Sequence, residues 1–263
     1  MNKELKIAYV SDLHLGFYVP FNYNKRKLKN NLISFVKKNL LTDADVFVLA
    51  GDVAEYNIYT IIVLEELSKH YKKVFFVFGN HDMYLLSTNQ KKKYQDSYGR
   101  INEVIDYFKD NDNVYVLNRD IIEYNGFRIA GFSNWYTLEN TMDEFFFLND
   151  SNDSRCIYPK TIYENQQRHY YDKVFYDSLN EKDIDLIISH VPPIHFKSDR
   201  HEPNGCYYNK SIKEIHTKHW ICGHQHVPSV VEIGDITVYN NAWGYPGEIK
   251  EPKLRTMKIV KNV

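Results

Sequence analysis

Hydrophobic residues in this chain gather into short runs, and five of those runs stop on residues able to bind a metal or move a proton. Leu5–Val10 leads into Ser11-Asp12-Leu13-His14, and Val46–Ala50 leads into Gly51-Asp52. Val74–Phe78 leads into Gly79-Asn80-His81-Asp82, Leu186–Ile188 into Ser189-His190, and Trp220–Cys222 into Gly223-His224-Gln225-His226. Runs rich in β-branched and aromatic residues predict strands buried on both faces. Strands that end on ligand-capable residues present chemistry at the carboxyl edge of an open α/β sheet.

The segments between these runs have a different period. Lys25–Leu41 places Leu28, Leu32, Phe35, Val36 and Leu40 on one helical face, and Ile58–His70 does the same with Ile61, Ile62, Leu64 and Leu67. Strand, helix, strand, helix, strand predicts parallel pairing through right-handed crossovers. Arg100–Lys109 reads as a further helix and Val114–Leu117 as a strand. Asn125-Gly126 suits a tight primed turn, so Ile121–Tyr124 and Phe127–Phe132 are expected to form a hairpin. Gly234-Asp235 predicts a second hairpin between Val230–Ile233 and Ile236–Asn240, and Met257–Val260 is expected as an edge strand.

Three stretches are less regular. Ser87–Tyr98, with Lys91-Lys92-Lys93, reads as a solvated polar face. Trp135 to about Tyr158 mixes aromatics with acids and shows no period, whereas Tyr163–Leu179 returns to helical spacing. Residues from about 133 to 180 are therefore expected to form an insertion or cap over one end of the sheet, within a single domain spanning 1–263. Ser198–Tyr208, beyond the Pro192-Pro193 stop, is expected to be a polar loop.

Composition changes this picture little. With 33 Lys and Arg against 34 Asp and Glu, the formal net charge of -1 gives no bulk argument for nucleic acid or an anionic membrane. No run approaches the length of a transmembrane helix, and no apolar leader precedes the first strand. The 3 Cys (Cys156, Cys206 and Cys222) lack paired spacing, which suits a reducing, cytoplasmic setting rather than a disulfide framework.

The strand ends collect Asp12, His14, Asp52, Asn80, His81, His190, His224 and His226. This mixed nitrogen and oxygen set suits manganese, iron or zinc better than calcium or magnesium. It holds too many ligands for one ion. A carboxylate shared by two ions about 3.5–4 Å apart accounts for the surplus, and such a pair acidifies water and clamps both oxygens of an in-line displacement.

The ordered set Asp12-x-His14, Gly51-Asp52, Gly79-Asn80-His81-Asp82, His190 and Gly223-His224-x-His226 resembles the calcineurin-like metallophosphoesterase superfamily. The resemblance implies a four-layer α/β/β/α sandwich of two mixed sheets. It implies that Asp12, His14 and His226 hold one divalent ion, that Asn80, His190 and His224 hold a second, and that Asp52 bridges them. Manganese is the first expectation for both ions, with iron or zinc as alternatives. It implies hydrolysis by a hydroxide between the ions, with His81 protonating the leaving group and Glu55 orienting His81. Asn240–Pro246 falls where many bacterial relatives carry an Asn-Pro-Arg-Gly-Tyr-like loop, but Trp243 stands in place of the Arg.

Ser/Thr protein phosphatases of this superfamily carry Gly-Asp-x-x-Asp-Arg-Gly, whereas this chain has Gly51-Asp52-Val53-Ala54-Glu55-Tyr56-Asn57. Without that Arg, the bacterial or phage type is the better match. A phosphodiester, with one anionic charge per linkage, needs less cationic help than a phosphomonoester. The expected substrates are small phosphoesters: diesters of nucleotides or cyclic nucleotides, with nucleic acid a weaker case. A phosphomonoesterase acting on a small phosphorylated metabolite and a catalytically silent binding scaffold are the alternatives. Trp135, Tyr136 and Phe145–Phe147 could stack a base but are more often the core of an insertion. His195 and His201 are expected in a loop flanking the site, His216 and His219 as structural residues, His70 and His169 on helix surfaces, and Cys222 as a buried hydrophobe.

Overall fold

The computed structural model describes residues 2–196, 206–212, 214–215 and 217–262. Two sheets form its centre. The first has the order β11-β1-β2-β3-β4, from β1 (Asn2–Val10), β2 (Val46–Ala50), β3 (Lys73–Val77), β4 (Val114–Leu117) and β11 (Arg255–Asn262). The second has the order β5-β6-β7-β8-β10-β9, from β5 (Asp120–Tyr124), β6 (Phe127–Phe132), β7 (Leu186–Ser189), β8 (His219–Cys222), β9 (Ser229–Ile233) and β10 (Ile236–Asn240). The pairings β1–β2, β2–β3, β3–β4, β6–β7, β7–β8 and β8–β10 are parallel, and antiparallel strands (β11, β5 and β9) sit at three of the four edges.

Strand periodicity explains the layering. Along β2, Val46, Val48 and Ala50 face β7 and β8 residues such as Ile188 and Ile221 in a shared inter-sheet core. The alternate residues Phe47 and Leu49 face outward into a second core. That outer core is closed by α2 (Lys25–Asn39), α3 (Asn57–Leu67) and α5 (Ser97–Phe108), through Leu32, Val63 and Val104 among others. On the far side, Ala130, Ile187 and Trp220 pack beneath Tyr176 of α8 (Ile162–Asp177). The result is the four-layer sandwich that the resemblance implies. Because both faces of the central strands are covered, their apolar runs are unbroken.

Local rules set the boundaries. Asn24 caps α2 through a bond from the Lys27 N–H, and Asp96 caps α5 through the Gly99 N–H. At the first hairpin Asn125 and Gly126 both have positive φ, 53° and 82°, as a type I′ turn requires.

The polar stretch after Ser87 leaves Lys91, Lys92 and Lys93 exposed, on a helix, α4 (Thr88–Tyr94), that starts at a reciprocal Ser87/Gln90 capping box. Two other expectations are corrected. The stretch from Trp135 to about Tyr158 is not irregular throughout. It contains α6 (Thr141–Asn149), capped by Asn140, and α7 (Asn152–Cys156), capped by Ser151. Both helices are too short to show several repeats of an apolar period, so caps rather than periodicity mark them. Trp135, Tyr136 and Phe147 are buried, which removes them as a base-stacking platform. Likewise His169 is partly buried, with its Nδ1 2.9 Å from the Trp135 carbonyl, rather than free on a helix surface. His201, His216 and most of the Ser198–Tyr208 loop lie outside the described residues.

Candidate dinuclear metal centre

The loops that follow β1, β2, β3, β7 and β8 meet at one edge of the sandwich. A short helix α1 (Leu15–Tyr18) follows the first of them. The loops are tied to one another through backbone bonds: Asp12 N–H donates to the Gly51 carbonyl, His14 N–H to Asp52, and Gly223 N–H to His190. Asp12, His14, Asp52 and His224 all have left-handed backbone conformations, with φ between 41° and 68°. Four non-glycine residues in that sparse region, all at one site, mark stored backbone strain held by the surrounding fold. Gly51 and Gly79 face the opposite problem. A Cβ on Gly79 would fall on the Asp52 carboxylate, and one on Gly51 would fall on the His190 ring.

All seven residues expected as metal ligands converge. Asp12, His14 and His226 form one group whose ligand atoms lie within 4.8 Å of one another, and Asp12, Asp52 and His190 form another. His14 Nε2 is 3.3 Å from His226 Nε2, and His226 Nε2 is 3.5 Å from Asp12 Oδ1. On the other side, Asn80 Oδ1 is 3.0 Å from His190 Nε2 and 3.2 Å from His224 Nδ1. Asp52 lies between them, with Oδ2 3.4 Å from His190 Nε2 and 3.8 Å from His14 Nε2.

Hydrogen bonding around the cluster fixes which atoms face inward. A carbonyl can only accept, so the ring nitrogen against it carries the proton. His190 Nδ1–H donates to the Ala50 carbonyl at 2.8 Å and His224 Nε2–H to the Cys206 carbonyl at 2.7 Å. His226 Nδ1 is held by the Glu248 carboxylate at 2.6 Å. The Asn80 amide donates to Asp153 at 2.8 Å and to the Tyr84 hydroxyl at 3.1 Å. These outer bonds leave Asn80 Oδ1, His224 Nδ1 and, in its neutral form, His190 Nε2 as acceptors pointing at one another. Acceptors crowded this way require positive charge between them, so the donor set fits a divalent cation on each side of Asp52.

The histidines and carboxylates of the cluster shift one another's ionisation. Burial disfavours the charged form of His190, but Asp52 outweighs burial and raises its pKa to about 9. Burial is likewise outweighed at His226, where the Asp12 and Glu248 carboxylates raise it to about 10. Burial opposes ionisation of Asp52 and Asp12, yet the histidines keep Asp52 well below the usual range and Asp12 at about 2. His224 is held down, first by burial and then by the neighbouring His190.

His81 stands beside this cluster. Its backbone N–H donates to Asp52 Oδ1 at 2.8 Å. Its Nδ1 meets Glu55 Oε1 at 3.1 Å, and its Nε2 lies 3.4 Å from the Tyr245 hydroxyl. Burial disfavours its imidazolium, but Asp52 and Glu55 prevail and raise its pKa. Burial also opposes ionisation of Glu55, which the nearby His14 (Nδ1 at 3.9 Å) and its bond to His81 nonetheless hold at about 2.

Several supporting residues escape a reading of the sequence. Asp82 accepts from the N–H groups of Asp52 (2.8 Å), Val53 (3.2 Å) and Gly79 (2.9 Å), locking the loops after β2 and β3 together. Its place directly after His81 was a local signal. Arg100 is fully buried and donates to the carbonyls of Ala54, His81 and Tyr84. Asp153, from α7, accepts from Asn80, Tyr84 and Tyr136. Trp243 is buried against Phe35, and Tyr245, two residues on, stacks on His14 at 4.3 Å. Neither Arg100 nor Asp153 has a local sequence signal, because each reaches the site from a distant segment.

The two mixed sheets and the ligand cluster at their edge define a metal-dependent hydrolase fold. The chain belongs to the calcineurin-like phosphoesterase family, whose model matches residues 5–228. The family is one of phosphoester hydrolases that use divalent metal ions. Among solved structures, phosphopantetheinyl hydrolase from Mycobacterium tuberculosis is similar at 15% identity and a TM-score of 0.65, covering 96% of this chain and 95% of that one. A putative 5'-nucleotidase from Staphylococcus aureus, in complex with alpha-ketoglutarate, is similar at 14% identity and a TM-score of 0.45, over 98% of this chain and 51% of that one. A dimetal phosphatase from Danio rerio is similar at 14% identity and a TM-score of 0.42, over 90% of this chain and 86% of that one. A sequence comparison with curated proteins finds no significant match. Among the described residues, no helix is long and apolar enough to cross a membrane.

Proposed function

We propose that this protein is a dinuclear-metal phosphodiesterase acting on small phosphoesters, nucleotides and cyclic nucleotides among them. The observation that carries this reading is the position of Asp52, within 4 Å of a histidine from each ligand group and bonded to the backbone of His81. Asp12, His14 and His226 would hold one cation and Asn80, His190 and His224 the other, with Asp52 shared. Manganese is the favoured identity for both. When bound, such ions supply Lewis acidity toward phosphoryl oxygens and acidify water.

The chain's own groups do the rest. Glu55 holds the Nδ1 proton of His81, so Nε2 is the atom that exchanges a proton with the leaving-group oxygen. The Tyr245 hydroxyl at 3.4 Å steadies that face of the ring. Arg100 spends its guanidinium on backbone carbonyls rather than on substrate. That arrangement favours a diester, whose single charge needs no cationic side chain beside the metals.

The test is turnover of bis(4-nitrophenyl) phosphate and 4-nitrophenyl phosphate by one manganese-loaded preparation. The diester should have the higher kcat/KM. A higher value for the monoester would replace this reading with a phosphomonoesterase, and metal-loaded protein that turns over neither would make it a scaffold.

A further inference from the structure

Beside His81 the surface opens into a cleft of about 380 Å³. Phe17, Phe21, Tyr56 and Leu86 line it, and His81 and Tyr245 form the end nearest the ligand cluster. Three of these apolar side chains are unusually exposed: Phe17 at 58%, Phe21 at 50% and Leu86 at 49%. Scattered exposed hydrophobics are ordinary, but a cluster rimming a concave site marks a binding surface. The rings are already arranged around one another. Phe17 meets Tyr245 edge-on at 5.1 Å, and Phe21 lies 5.6 Å from Tyr56.

Charge narrows the occupant. Among the described residues lining the cleft there is no Lys or Arg, and its one carboxylate, Glu55, is engaged by His81. A second phosphate, or a polyanionic strand, would meet aromatic faces and no counter-charge. Phe21 and Tyr56 also line an adjoining cavity of about 540 Å³, whose cation Lys93 is paired with Glu103 at 2.5 Å. The cleft therefore continues away from His81 without gaining free positive charge.

From these observations we infer that the cleft is the subsite for the organic part of the substrate, and that this part is an uncharged aromatic or apolar group on the leaving-group side. The inference rests on the phosphoesterase reading above, because His81 defines which side is the leaving-group side. A flat ring lying in the cleft against the exposed sides of Phe17, Phe21 and Tyr245 would bury its surface on theirs while its oxygen stays beside His81 Nε2.

The test uses inhibition of bis(4-nitrophenyl) phosphate hydrolysis by benzylphosphonate, methylphosphonate and 4-carboxybenzylphosphonate, with manganese present. Benzylphosphonate should bind the parent at least about tenfold more tightly than methylphosphonate. In a Phe17→Ala/Phe21→Ala variant that ratio should fall to within about twofold. A parent ratio near one, or a ratio that survives the double variant, overturns the subsite. The carboxylated compound needs no variant and should lose at least about fivefold against benzylphosphonate in the parent. Equal binding of those two would overturn the claim that the occupant is uncharged. If the parent hydrolyses no phosphoester, the phosphoesterase reading fails instead, and calorimetric binding of the same phosphonates still decides the cleft.

Discussion

The ligand cluster and the cleft beside it are a few ångströms apart and are built on opposite terms. In the cluster, charged and polar side chains are buried and nearly every atom is fixed by an outer partner: Ala50 for His190, Cys206 for His224, Asp153 for Asn80. In the cleft, apolar side chains are exposed and few are fixed by anything but one another. A site that must hold cations at set distances needs rigid second partners. A surface that receives an organic group needs area and shape, and tolerates looser side chains. On the reading proposed above, chemistry and selectivity would be carried by two groups of residues that meet at His81, Glu55, Tyr84 and Tyr245.

That separation can be broken from the cluster side most severely. Asp52→Ala removes the carboxylate that lies within 4 Å of a histidine from each ligand group, so metal content by elemental analysis should fall and turnover should drop below about one part in 10³ of the parent. His81→Ala should lower kcat by about 10²–10³-fold with metal content unchanged, because the backbone N–H that holds Asp52 remains. A variant that lost metal as well would mean that the imidazole, not only its backbone, supports the cluster. Asp153→Ala takes away the acceptor that orients Asn80, and should weaken metal binding by about 10–100-fold in a metal titration.

Two smaller effects sharpen the contrast. Chelation should destabilise the protein, since the metals bind only the folded chain. At about 100 times the dissociation constant the loss is about 2.7 kcal/mol. For a domain of this size that is roughly 5–10 °C in Tm by calorimetry. Leu86→Ser, on the exposed rim of the cleft, should change stability by less than about 0.5 kcal/mol in denaturant unfolding and leave metal content at the parent value.

Much of the centre is legible in the sequence. The seven residues proposed as ligands, His81 and Glu55 all follow strands whose apolar runs are continuous, so strand ends and candidate chemistry coincide along the chain. The hairpin at Asn125-Gly126 was equally plain, because a type I′ turn leaves few choices of residue. The insertion was not. Its helices α6 and α7 are short and capped by Asn140 and Ser151, so no apolar period marked them, although the aromatic residues there read more readily as core than as a base-stacking surface. Nor did the loop at Asn240–Pro246 declare which aromatic faces inward. Trp243 attracted notice for what it replaces, yet it is Tyr245 that lies against His14.

What the sequence determined alone was the identity and order of the residues proposed as ligands and the alternation of strands and helices, because both depend on spacing within a few residues. The tertiary structure decided which atoms point inward. Asn80 is oriented by a carboxylate 73 residues away, and the His190 proton is placed by a carbonyl 140 residues away. Only the face-to-face packing of the two sheets, which gathers their loops at one edge of the sandwich, brings such partners within hydrogen-bonding distance, and no local pattern encodes that meeting.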